Sequence, residues 1–121
     1  MNLKEIHNCY FVGIGGIGMS AIARYFAANG KNVAGYDKTP TAITSKLAEL
    51  GVVINFEDIL KEVPISFLDR DKTLVIYTPA IPENNNQLSY FLDNDFKVLK
   101  RSEILGKITE TTFCLAVAGT H

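Results

Sequence analysis

The sequence has no surplus of charge of either sign: 12 Lys and Arg stand against 13 Asp and Glu, for a net charge of −1. These charges are scattered, so the concentrated basic face that nucleic-acid binding requires is missing. There is no apolar run long enough to span a bilayer. The opening MNLKEIHN is polar and lacks the apolar core of a signal peptide. Cysteine is scarce. Cys9 and Cys114 sit far apart in apolar, β-rich runs, which fits buried thiols in a reducing, cytoplasmic setting better than a disulfide. Internal repeats and low-complexity linkers are absent too. Neither a nucleic-acid nor a membrane partner is expected.

What remains is an ordinary globular composition. Of 121 residues, 47% are apolar and 21% charged, enough for one domain with a proper core. Strand and helix signals alternate along it. Asn8 to Ile14 reads as a short buried strand, and the apolar positions from Ile17 recur at helical spacing until Asn29-Gly30 stops them. KNVAGY at 31–36 is a second strand, and Thr41 caps a helix that runs to about Leu50, before Gly51. Val52 to Ile54 is a third strand and Lys72 to Tyr77 a fourth; Gln87 to Asp93 is helical, Lys97 to Leu99 a fifth strand, and Ser102 to Ile108 a further helix. Asn55 to Arg70 mixes a helical turn with Pro64 and charges and has no clear period, while Thr111 to Val117 is again β-like. Such alternation predicts an α/β fold: a Rossmann-like, doubly wound parallel sheet of about five strands, ordered 3-2-1-4-5, with helices on both faces. The ligand crevice then lies at the carboxyl ends of the strands, beside strand 1.

The stretch FVGIGGIGMS at 11–20 is the chemical centre of this reading. Without a Cβ, the backbone can turn sharply at Gly13, approach a ligand at Gly15 and pack helix on strand at Gly18. The amides of Gly16 through Met19 then stand unpaired at a helix N-terminus, where the dipole also favours an anion such as a diphosphate. Asp37 ends the second strand and is placed to accept from ribose hydroxyls. Loop and acid together indicate a nucleotide diphosphate without saying which. A nicotinamide-dependent oxidoreductase domain and a non-catalytic nucleotide-sensing module both remain open at this point.

Five segments together resemble one family, the ATP-dependent Mur ligases. They are FVGIGGIGMS at 11–20, GYDKT at 35–39 with LAELG at 47–51, YTPAIPENN at 77–85, VLKRSEILG at 98–106, and AVAGTH at 116–121. They resemble most the branch that joins L-alanine to UDP-N-acetylmuramate in peptidoglycan synthesis. That resemblance implies a UDP-sugar-binding domain over residues 1–110. It also implies the first strand of a central ATPase domain over residues 111–121, stopping before the Gly-Lys-Thr that would hold ATP and Mg2+. By the same resemblance, the amides of Gly15, Gly16, Ile17, Gly18 and Met19 face the UDP diphosphate, with Ser20 close by. Asp37 lies near the ribose and uracil, Thr78, Ala80 and Ile81 line the facing wall, and Arg101 approaches from the next strand end. Gly119, Thr120 and His121 form part of an ATP loop. In the full enzyme, ATP would phosphorylate the lactyl carboxylate, and L-alanine would attack the acyl phosphate. No catalytic residue, no metal site and no bound cofactor is expected within this stretch. One departure stands out: many relatives carry Gly-His near the uridine, where this sequence reads Ile54-Asn55-Phe56-Glu57-Asp58.

Overall fold

The computed structural model describes residues 3–108. The strand expected at 111–117, the ATP-loop residues Gly119, Thr120 and His121, and Cys114 lie outside the described residues. Five strands, β1 (Asn8–Val12), β2 (Asn32–Tyr36), β3 (Val53–Asn55), β4 (Thr73–Tyr77) and β5 (Lys97–Lys100), form one parallel sheet in the order β3-β2-β1-β4-β5. The doubly wound order read from the sequence is therefore the one observed. The strands come in register at their carboxyl ends, where Asn55, Tyr36, Val12, Tyr77 and Lys100 share one row.

The helices α1 (Ile17–Ala28), α2 (Ala42–Glu49) and α3 (Asn86–Asp93) join successive strands, and residues 101–108 form a further helix, α4. Gly30 and Gly51 follow α1 and α2 at φ +82° and +92°, the left-handed stops that glycine permits. α1, α2 and α4 cover one face, where Phe11, Ile14, Met19, Ile22, Phe26, Leu47 and Ile104 are buried together. The opposite face carries α3 and the segment between β3 and β4. That segment, aperiodic in sequence, is two 3-10 turns, Leu60–Glu62 and Ile65–Leu68, and it sinks Val63 and Phe67 against Tyr10 and Phe91. Pro64 falls between its buried anchors Val63 and Phe67 and interrupts any regular helix there. β1 is buried at every position, as a central parallel strand must be.

This burial has a titration consequence. Burial pushes the Cys9 thiol up from 9.0 to about 12, with Lys31 opposing, and burial likewise raises the Tyr10 phenol. Both groups hold their protons more tightly in the folded chain than in the unfolded one. The stability they contribute is complete below their unfolded values and is lost as pH rises toward the folded ones. Urea midpoints are thus expected to stay level up to about pH 9 and to fall above it. A flat alkaline profile would contradict the burial of these two side chains.

Candidate functional site

Each helix start in this fold faces the same requirement, because its first amides have no acceptor within the helix. Three of the four described starts carry a side chain that accepts from a backbone amide in or just before the first turn. At α2, Thr41 and Thr44 form a reciprocal capping box. At α3, Asp58 accepts from the amides of Asn86 (2.7 Å) and Gln87 (2.9 Å), and Asn85 accepts from Leu88 (2.8 Å). At α4, Glu103 accepts from the Lys100 amide (3.0 Å). α1 is the exception. Its cap is Gly16, with no side chain to offer, and its first intrahelical bond runs from the Ser20 amide to the Gly16 carbonyl (2.8 Å). The amides of Ile17, Gly18 and Met19 are left without an intrahelical acceptor, under the positive end of a twelve-residue helix. This terminus gathers unpaired amides at one place.

The surrounding groups converge on it. Gly13 turns the chain at φ +95°, and its amide and that of Ile14 donate to the Tyr36 carbonyl (2.8 and 2.9 Å). A Cβ at Gly13 would lie 2.5 Å from Thr78 Cγ2 and 3.3 Å from Ile81 Cγ1. The loop after β4 therefore rests directly on the glycine turn. Asp37 reaches across from β2: its Oδ2 accepts from the Gly15 amide (2.7 Å) and its Oδ1 from the Thr39 amide (3.1 Å). On the other flank, a Cβ at Gly18 would lie 2.7 Å from Arg101 Nη1, which sets the guanidinium over the first turn of α1. An anion there would meet backbone amides and a planar, permanently charged donor fork together.

The residues expected from the sequence are brought to one crevice, though not all in the same capacity. Gly16, Ile17, Gly18 and Met19 present the uncapped turn; the Ile17 side chain is 81% exposed at its rim. The Gly15 amide is committed to Asp37, so it shapes the loop through that carboxylate. Met19 points into the core. Ser20 is buried, and its hydroxyl donates to the Ile17 carbonyl (2.9 Å); its amide is also spent within the helix. Thr78 and Ile81 form the facing wall, and Ala80 is exposed beside them. A groove of about 250 Å³ between α1 and α2, lined by Ile17, Ser20, Arg24, Ile43, Lys46 and Leu47, opens next to the crevice. It shares Ile17 and Ser20 with the crevice. Among the described residues, no group of three or more His, Cys, Asp or Glu is assembled as a metal would need, and no helix is long and apolar enough to cross a membrane.

A polar network under the far wall has no signal in the sequence. Tyr10 donates to Gln87 Oε1 (2.6 Å) and accepts from Asn55 Nδ2 (2.8 Å). Gln87 Nε2 donates to Asn55 Oδ1 (3.0 Å) and to the carbonyls of Glu57 (3.0 Å) and Ile59 (3.2 Å). The unusual Asn55-Phe56-Glu57-Asp58 stretch is thus the mortar between β3 and α3, with Asp58 serving as a helix cap. Gly35 was also missed. A Cβ there would lie 2.7 Å from the Phe11 carbonyl and 2.8 Å from Ile14 Cδ1, so it gives Ile14 its place behind the loop.

Comparison with known proteins gives consistent neighbours. The Mur ligase family, catalytic domain, matches residues 8–112. The chain is 58% identical, over its whole length, to the UDP-N-acetylmuramate–L-alanine ligase of Flavobacterium psychrophilum and 53% identical to that of Flavobacterium johnsoniae. It spans 27% of the length of each of these curated relatives. The crystal structure of the UDP-N-acetylmuramate-alanine ligase from Thermotoga maritima superposes with a TM-score of 0.75 at 31% identity. That match covers 86% of this chain and 23% of the other.

Proposed function

Because the chain belongs to the Mur ligase family, we propose that it supplies the UDP-N-acetylmuramate site of a ligase that adds L-alanine to that UDP-sugar. The observation that carries this reading is the uncapped start of α1, flanked by Asp37 and Arg101, in a fold whose other described helix starts each carry a side-chain acceptor. The diphosphate would sit on the amides of Gly16 to Met19, its charge met by the helix dipole and by the Arg101 guanidinium. Asp37, fixed by the Gly15 and Thr39 amides, keeps lone pairs free for the ribose hydroxyls. Thr78, Ala80 and Ile81 would close the opposite side and limit water around the diphosphate.

In this proposal, residues 1–110 form the UDP-sugar unit and residues 111–121 begin an ATPase unit. ATP and Mg2+ would serve the whole protein, activating the sugar's carboxylate toward the alanine amine. The part played by Gly119, Thr120 and His121 belongs to that unit, and none of the residues described above takes part in ATP chemistry. What this chain contributes is substrate grip and orientation.

Titrating this chain with UDP-N-acetylmuramate, UDP and NADH, while following backbone amide signals, tests the reading. The two UDP compounds are expected to move the signals of residues 15–19 and of the Arg101 side chain. If NADH moves them and the UDP compounds do not, the site holds a redox dinucleotide and the proposal falls.

A further inference from the structure

Beyond the diphosphate cradle, the ligand's nucleoside has a direction to follow, and the sheet indicates it. Asp37 leaves β2 toward α1 and α2, since its carboxylate lies against Gly15 and close to where Thr44 packs. The residue just before it, Tyr36, points to the opposite face, among Tyr10, Val12 and Ala34. The carboxyl end of β2 is therefore straddled by an acid on one side and a phenol on the other. Tyr36 sits in the last row of the sheet, between Val12 at the root of the glycine loop and Asn55 at the end of β3.

The two buried tyrosines of this face are treated differently. Tyr10 is fully enclosed, and its hydroxyl both donates and accepts inside the network. Tyr36 is 7% exposed, yet its hydroxyl makes no hydrogen bond among the described residues. Because no buried polar atom among the described residues is left without a partner, that hydroxyl reaches the surface, within range of the Asp58 and Asp37 carboxylates. A ring this deeply buried has few rotamers left, so its hydroxyl is held at one place with little entropy still to lose. Burial, with Asp58 and Asp37 nearby, raises its titration, which keeps the phenol protonated and able to donate at neutral pH. Packed ring, free hydroxyl and a position beside the ribose acid are what a base-recognising group requires.

We propose that the Tyr36 hydroxyl hydrogen-bonds the base of the bound nucleoside diphosphate, making Tyr36 a specificity-determining residue. The inference rests on the UDP-sugar reading above and adds a residue that the glycine motif does not include. A uracil offers carbonyl acceptors and one ring N–H, and a phenol can donate to the former or accept from the latter. Tyr77 supplies an internal control. It occupies the same sheet row on the other side of Val12, beyond the point where the strand order reverses, and so lies away from the base.

The test compares UDP with inorganic diphosphate as probes of this chain, by calorimetry, for the wild type and the variants Tyr36→Phe and Tyr77→Phe. Both substitutions keep the ring, and thermal melts establish that each variant is folded. Tyr36→Phe is expected to weaken UDP about five- to tenfold, the scale of one hydrogen bond, while inorganic diphosphate binds as before. Tyr77→Phe should leave both affinities unchanged. Unchanged UDP binding by Tyr36→Phe overturns the proposal, as does an equal loss for both probes, which would mean a disturbed loop. A wild-type chain that binds UDP no better than inorganic diphosphate would instead overturn the UDP-sugar reading itself.

Discussion

Gly13→Ala is expected to destabilise the chain by roughly 2–4 kcal/mol and to weaken UDP binding at least tenfold. Two separate costs add. At φ +95° an L side chain occupies the left-handed region, at about 1–2 kcal/mol. The new methyl would also lie 2.5 Å from Thr78 Cγ2, inside any tolerable contact, so either the glycine turn or the loop after β4 must move. Both belong to the proposed site, which is why binding should suffer along with stability. Removing only the opposing methyl, with Thr78→Ser, separates the two costs. The double variant should recover the contact part and retain the dihedral part, read as non-additive urea midpoints. If Thr78→Ser recovers nothing, the loop after β4 does not rest on Gly13 as described.

The second large effect is expected from Gln87→Leu. Leucine fills a similar volume, so the change is in polarity rather than in packing. Gln87 is fully buried, and its amide serves Asn55 and the carbonyls of Glu57 and Ile59, while its oxygen accepts from Tyr10. Each group left buried without a partner costs about 1–3 kcal/mol, and shared networks make the sum less than additive. A total near 3–5 kcal/mol is expected, by equilibrium unfolding, against about 1–3 kcal/mol for Tyr10→Phe, which leaves the one acceptor Gln87 Oε1 without its donor. The amides of residues 55–62 should also exchange faster in the Gln87 variant. A loss no greater than that of Tyr10→Phe would show that the segment is held by Val63 and Phe67 alone.

The contrast between these two positions separates what was legible in the chain from what was not. Gly13 announces itself, because glycines at 13, 15, 16 and 18 between a β run and a helical period have a local meaning. The same is true of the Thr41 cap and of the stops at Gly30 and Gly51. Gln87 is silent: it reads only as the first residue of a helix after an Asn-rich turn, and these partners lie about thirty or more positions away. Tyr36 reads as one more strand residue. Only the sheet register shows that its ring is buried while its hydroxyl is free.

By itself, then, the sequence determined the strand–helix alternation, the parallel order of the sheet and the place of the glycine turn that opens α1. Each of these follows from periodicity, from backbone freedom at glycine, or from the crossovers that parallel neighbours require. The tertiary structure alone decided which distant side chains meet the helix starts. Asp58 reaches α3 from 28 residues away, and Arg101 reaches α1 across the sheet. Such pairings depend on which elements lie side by side, and that is settled only when the whole chain has packed.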